Sequence, residues 1–169
     1  MSRPIGRAAV AIMALNWLVA AGAGVTLAER APAQSEIGAL TNPNASDAVA
    51  AAKSAVHTIL SYDYRSLDAD IKAAKADLTG EFAKEYAASA PRLLTEAGQL
   101  KAIVQATVGF SGVVSATPDD VVVLLFVDQA TVRQNPGSSV PTTRIDQSRV
   151  RVTMTRVGDR WLVSSLNAL

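Results

Sequence analysis

The amino-acid sequence predicts an α+β domain carried beyond an N-terminal transmembrane helix. Three observations carry this prediction. An uncharged run of 21 residues lies near the start, helical periodicity fills the first half of the remaining chain, and strand periodicity fills its second half. Helices that precede an antiparallel meander pack on one face of a curved sheet, a build that leaves a cone-shaped pocket.

Ala8 to Ala28 carry no charge, and at about 1.5 Å per residue they span about 31 Å, the thickness of a bilayer core. Arg3 and Arg7 precede this helix of residues 8–28, whereas Glu29 and Arg30 cancel after it. The positive-inside bias therefore leaves residues 1–7 in the cytoplasm and the domain outside, as a single-pass protein of the cell inner membrane. Asn16 costs insertion energy that Ile12, Leu15, Trp17 and Leu18 offset, and a partner helix can satisfy its amide. The competing reading is a cleaved signal peptide, because Ala31-Pro32-Ala33 has the small-x-small pattern of a processing site. The run exceeds the roughly 7–15 residues of a signal core, and a charged pair separates it from the cut, which favours an uncleaved anchor. Residues 29–46, rich in Pro, Gly, Ser, Asn and Thr, read as an extended linker to a domain of residues 47–169.

Within the domain, Asn44 or Ser46 caps a helix to about Tyr62, with Val49, Ala52, Val56, Ile59 and Leu60 on one face. Ser66 caps a second helix through about Asp77, whose thin apolar content places it on the surface. Thr79 opens a third, in which Phe82 and Tyr86 share a face, Pro91 kinks the helix or starts a new turn, and Gly98 ends it. From Ile103 to Ala116, Val104, Ala106, Val108, Phe110 and Val114 alternate with polar residues, the period of a half-buried strand, and Gly109 and Gly112 signal a bulge or bend. Val121 to Val127 are seven apolar residues in succession, which predicts a central strand covered on both faces. A polar loop from Gln134 to Thr143 leads to a strand carrying Val150, Val152 and Met154, and Gly158-Asp159 turns it into a last strand, Arg160 to Leu166.

Composition bounds the function. With 16 basic and 15 acidic residues in 169, the formal charge is +1, which gives no basic field for nucleic acid. Cysteine is absent and histidine occurs once, so disulfides, thiolate nucleophiles and most zinc sites are excluded. Alanine supplies 31 residues and only 18% are charged, a surface of small neutral side chains. No P-loop, dinucleotide turn, HExxH or EF-hand spacing occurs. Neither a cofactor nor an enzymatic reaction is therefore expected.

Several segments together carry a family resemblance: the anchor and linker, Ser61-Tyr62-Asp63-Tyr64, Thr79-Gly80-Glu81-Phe82 with Tyr86, the strand Val121 to Gln129, and Arg149 to Met154 followed by Arg160-Trp161-Leu162-Val163. In their order and spacing, across residues 8–169, the chain resembles the Mce-associated membrane proteins of mycobacteria and related actinobacteria. Gly158-Asp159 departs from the family's Asp-Gly before Arg-Trp. The resemblance implies an outer domain similar to the nuclear transport factor 2-like cone. It also implies a role as an accessory or stabilising subunit of Mce transporters, which move fatty acids or sterols across the envelope.

Chemistry and this resemblance together nominate candidate residues. His57, with Asp63, Tyr62 and Tyr64 near in sequence, is the one acid–base candidate; the alternative is a partly exposed helix histidine. Tyr62, Tyr64, Phe82, Tyr86 and Trp161 either line a lipid-sized pocket or fill a core. Arg149 and Arg151, with Arg156 and Arg160 on the same hairpin, meet an acidic partner or anionic headgroups, or form a solvated strand face with Asp128, Asp146 and Asp159. The expected function is a non-enzymatic, membrane-anchored subunit docking on Mce transporter proteins; the alternative is a lipid carrier with its ligand in the cone.

Overall fold

The computed structural model describes residues 43–135 and 137–169. The transmembrane helix expected at residues 8–28, Arg3, Arg7 and most of the linker lie outside the described residues. Among the described residues no helix is long and apolar enough to cross a membrane.

The elements run α1 (Pro43–Leu60), β1 (Tyr62–Asp63), α2 (Leu67–Ala76), α3 (Gly80–Leu100), β2 (Ile103–Ala116), β3 (Asp120–Arg133), β4 (Thr142–Val157) and β5 (Arg160–Ala168). The strands form one antiparallel sheet in the order β1-β2-β3-β4-β5. The chain is therefore α+β, as its periodicity predicts, with α1 laid across β2, β3, β4 and β5.

α1 already includes Pro43, inside the segment read as linker. It ends at Leu60 rather than Tyr62, since Tyr62 leaves the helix to pair with Val104. α2 is more than a surface helix: Leu67, Ile71 and Ala74 recur at helical spacing and are all buried. α3 runs unbroken through Pro91 and past Gly98 to Leu100. Buried Phe82, Tyr86, Ala90 and Ala97 stitch its length to the core, outweighing the local cost of both breakers. It stops in a Schellman motif: Ala102 N–H donates to Ala97 O at 2.9 Å and Lys101 N–H to Gly98 O at 3.2 Å. Lys101 takes the left-handed conformation there, at φ 45°.

The sheet departs from expectation at three places. β3 and β4 are longer than predicted, pairing from Asp120↔Thr155 to Arg133↔Thr142, so the loop shrinks to 134–141. The polar residues assigned to the far end of that loop instead lie on β4. β3 is central but covered on one side only: Val121, Val123, Leu125 and Val127 are buried, while Val122 and Leu124 are half-buried and Phe126 is exposed. In β2 the register shifts between Val108 and Phe110, at Gly109, and again between Val113 and Ser115. A bulge adds one residue and reverses the alternation beyond it. Phe110, expected on the buried side with Val104 and Ala106, is thus 77% exposed. Gly112, the other predicted bend, pairs regularly with Leu124.

The turn from β4 to β5 places Gly158 at φ 61° with Asp159 outside the left-handed region, the order of a type II′ hairpin with glycine first. The core lies between α1 and the sheet, where Leu125, Met154 and Leu166 are the largest fully buried side chains.

Candidate functional site

The aromatic residues expected to line a pocket are distributed through the packing. Phe82 and Tyr86 belong to the buried core, and Tyr62 and Trp161 pack against it from its margin. Tyr64 lies in the turn after β1, where the Arg65 guanidinium sits 5.9 Å from its ring centroid. Burial, and second the nearby Asp70 carboxylate, push the Tyr86 hydroxyl up to about 12. Burial, and then Glu96, raise that of Tyr62.

A shallow groove of about 310 Å³ lies between α2 and α3 and is lined by none of these aromatics. Ile71, Ala87, Ala90, Pro91 and Leu94 form its apolar lining, and Asp68, Lys72 and Lys75 bring charge to it.

His57 serves the backbone. Its Nδ1 lies 2.6 Å from Ala106 O, and because a carbonyl only accepts, that nitrogen donates. Ser61, one turn on, accepts from Ala106 N–H at 2.9 Å. Together they satisfy the outer edge of β2 just where β1 ends. Asp63, near His57 in sequence, is engaged elsewhere: Arg65 donates to it from its backbone N–H at 2.9 Å and from its side chain. These bonds hold the Asp63 carboxyl down at about 2. His57 and Asp63 are thus each engaged in local architecture rather than with one another.

The hairpin arginines divide into two groups. Arg160 Nη2 reaches Ala76 O at 3.2 Å and Asp77 Oδ1 at 3.3 Å, tying β5 to the end of α2. The Arg156 guanidinium lies 6.0 Å from the Trp161 ring centroid. Arg149 and Arg151, by contrast, are exposed and have no ion-pair partner among the described residues.

The register places those two arginines in rows with apolar residues on the face of the sheet opposite the helices. Phe110, Phe126 and Arg149 form one row across β2, β3 and β4; Gly112, Leu124, Arg151 and Asn167 form the next across β2 to β5. Along β3 the same face reads Asp120, Val122, Leu124, Phe126, Asp128: an apolar stripe with an aspartate at each end. Asp128 accepts from Gln147 at 2.9 Å and Asp120 from Thr155 at 2.6 Å, so both acids are anchored. Ile145 adds a further exposed apolar side chain on β4. The arginines were legible in the sequence. Phe110 and Phe126 were not, because both read as core; Gly109 was the signal that the pattern of β2 reverses.

No family model matches the chain. It is 34% identical over 124 residues to a Mycobacterium tuberculosis protein named outer membrane protein Rv1973, covering 73% of this chain and 74% of that protein. It is 33% identical over 118 residues to uncharacterized protein Rv1362c of the same organism, covering 69% of this chain and 52% of the relative. The chain thus spans about half the length of this second relative. Among solved structures it is similar to an IcmL-like type IV secretion system protein of Legionella pneumophila, with a TM-score of 0.57 at 15% identity, over 76% of this chain and 94% of that one. The VirB8 protein of Agrobacterium tumefaciens gives a TM-score of 0.57 at 11% identity, over the same shares of 76% and 94%. These two similarities establish a shared fold.

Proposed function

The chain belongs to the family of the Mycobacterium tuberculosis outer membrane protein Rv1973, and we propose that it is a membrane-anchored, non-enzymatic accessory subunit of an Mce-type lipid-import complex. In this reading residues 8–28 anchor it in the inner membrane with Arg3 and Arg7 on the cytoplasmic side, and the α+β domain works outside. The assignment to Mce transport rests on the resemblance carried by Ser61 to Tyr64, Thr79 to Phe82, the Val121 strand and the final hairpin. A docking role draws support from one structural observation above all: an open sheet face on which exposed phenylalanines lie beside two arginines that have no ion-pair partner among the described residues. Solvent-exposed apolar surface of this kind marks contact sites. The fold's occurrence in a type IV secretion system protein is consistent with work inside a multi-subunit assembly.

Affinity purification of the tagged full-length chain from native membranes tests the proposal. Mce transporter proteins are expected to co-purify, and their absence from a preparation that retains the intact chain overturns it. Immunoblotting the mature protein at full size supports the anchor, whereas a product about 3 kDa smaller, the mass of some thirty residues, supports cleavage.

A lipid-carrier reading finds its support in the groove between α2 and α3, whose apolar lining and two lysines suit an acyl chain with an anionic head. Native mass spectrometry of the chain purified from its own membranes distinguishes the two: a retained lipid favours the carrier, an empty chain the scaffold.

A further inference from the structure

We propose that the open face of the sheet is the docking surface and that its occupant is an amphipathic helix of a partner protein, one that carries paired carboxylates beside its apolar stripe. The proposal deepens the docking reading above and rests on it for the existence of a partner; the face and its chemistry come from the sheet.

Geometry limits the occupant first. Val122, Leu124 and Phe126 follow one another on one face of β3, and Phe110 stands beside Phe126 on β2. Strands lie about 4.8 Å apart, so a helix about 10 Å across, laid along β3, covers the β2 and β3 apolar residues together. The backbone edges offer less. β2 is closed near its start by β1, His57 and Ser61, and β5 is closed at Val163, whose N–H donates to Asp77 O at 2.8 Å and whose carbonyl accepts from Thr79 N–H at 2.9 Å. Side-chain packing on the face, rather than strand addition, is the mode that remains open at these places.

Charge then selects the occupant. Arg149 stands opposite Phe126 and Arg151 opposite Leu124, so each arginine is a direct cross-strand neighbour of the stripe. Two residues apart on a strand, they lie about 6.6 Å from one another, close to the 5–6 Å between side chains four residues apart on a helix. Two carboxylates at that helical spacing can each meet one arginine, with the bidentate geometry a guanidinium favours. An anionic bilayer fits less well, because Asp120 and Asp128 bound the stripe at both ends and would face the headgroups.

The test uses the purified full-length chain in neutral detergent and a labelled synthetic helical peptide. Its leucines stand at i, i+3, i+4 and i+7, with two glutamates four residues apart beside them; a counterpart carries lysines in place of the glutamates. Fluorescence anisotropy is expected to show the glutamate peptide binding at least ten-fold more tightly than the lysine peptide. Arg149→Glu with Arg151→Glu is expected to reverse that preference, and Phe126→Ser to weaken both peptides. The reversal is its own control for folding, since a misfolded variant binds neither. Equal binding of the two peptides, or a preference unchanged in the double variant, overturns the proposal. Arginine-dependent sedimentation with phosphatidylglycerol vesicles in the absence of peptide discrimination assigns the face to a bilayer and overturns it too. So do disulfide-linked homodimers formed through Leu124→Cys in this otherwise cysteine-free chain, which assign it to a second copy. Loss of peptide discrimination with co-purification of transporter proteins intact removes the face and leaves the docking reading; loss of both removes the reading as well.

Discussion

His57 sits at the end of α1 with its imidazole committed to Ala106 O, and Ser61 takes the N–H of the same residue. Removing either side chain leaves a strand-edge group to water or unpaired, so His57→Ala and Ser61→Ala are each expected to cost about 1 kcal/mol in urea denaturation. If His57 were instead a general acid or base, His57→Ala would abolish transport at normal protein abundance. Tyr86 carries a second expectation, in pH. Its hydroxyl is pushed from 10.0 to about 12 by burial and by Asp70. A group whose folded value is raised contributes stability that is complete below the unfolded value and lost as pH rises through the folded one. The chain is therefore expected to lose stability between about pH 10 and pH 12, and Tyr86→Phe to flatten the loss over that window, as read from denaturation midpoints.

At the scale of elements, the left-handed Lys101 ends α3 where glycine is the residue that fits without strain. Lys101→Gly is expected to raise stability by about 0.5–1 kcal/mol, the strain relieved exceeding the added backbone freedom, with a higher melting temperature as the readout. The same helix separates what is legible in a sequence from what is not. The shared face of Phe82 and Tyr86 was legible from spacing alone, whereas its continuation through Ala90 and Ala97 past Pro91 was not. Its end was not, because Gly98 looks like a stop until the burial of Ala97 is known. Strand alternation was likewise readable as far as Ala106. Beyond Gly109 a one-residue insertion in β2 exchanged the two faces, and no periodicity argument carries through such a step. For the candidate site, the charged half was visible as Arg149 and Arg151. The apolar half was hidden because seven consecutive apolar residues look the same whether one face is covered or two.

At the scale of the described domain, hydrophobic residues form a core under α1 and a separate stripe on the opposite face of the sheet. Leu125 and Phe126 are neighbours in sequence, yet Leu125 is fully buried and Phe126 is 44% exposed. Leu125→Ala is expected to cost about 2–5 kcal/mol through lost burial and the cavity left behind. Phe126→Ser is expected to cost below about 1 kcal/mol, since surface changes are usually small. Chemical denaturation of the two variants side by side reads this contrast, and similar losses would mean that the open face is covered within the chain itself. Strand order bears on how this architecture assembles. Because the sheet runs in chain order, β2 and β3 are joined across residues 117–119, β3 and β4 across 134–141, and β4 and β5 across Gly158 and Asp159. Each pairing closes a short loop, and closure entropy grows with loop length. Strands β2 to β5 can zip up one hairpin at a time from local contacts, which favours rapid folding. α1 and β5 meet across most of the described chain's length, so their docking is the slow, long-range step. A chain emerging N-terminus first can dock α1 on α2 and β2 early, but completes its packing only when the last strand arrives.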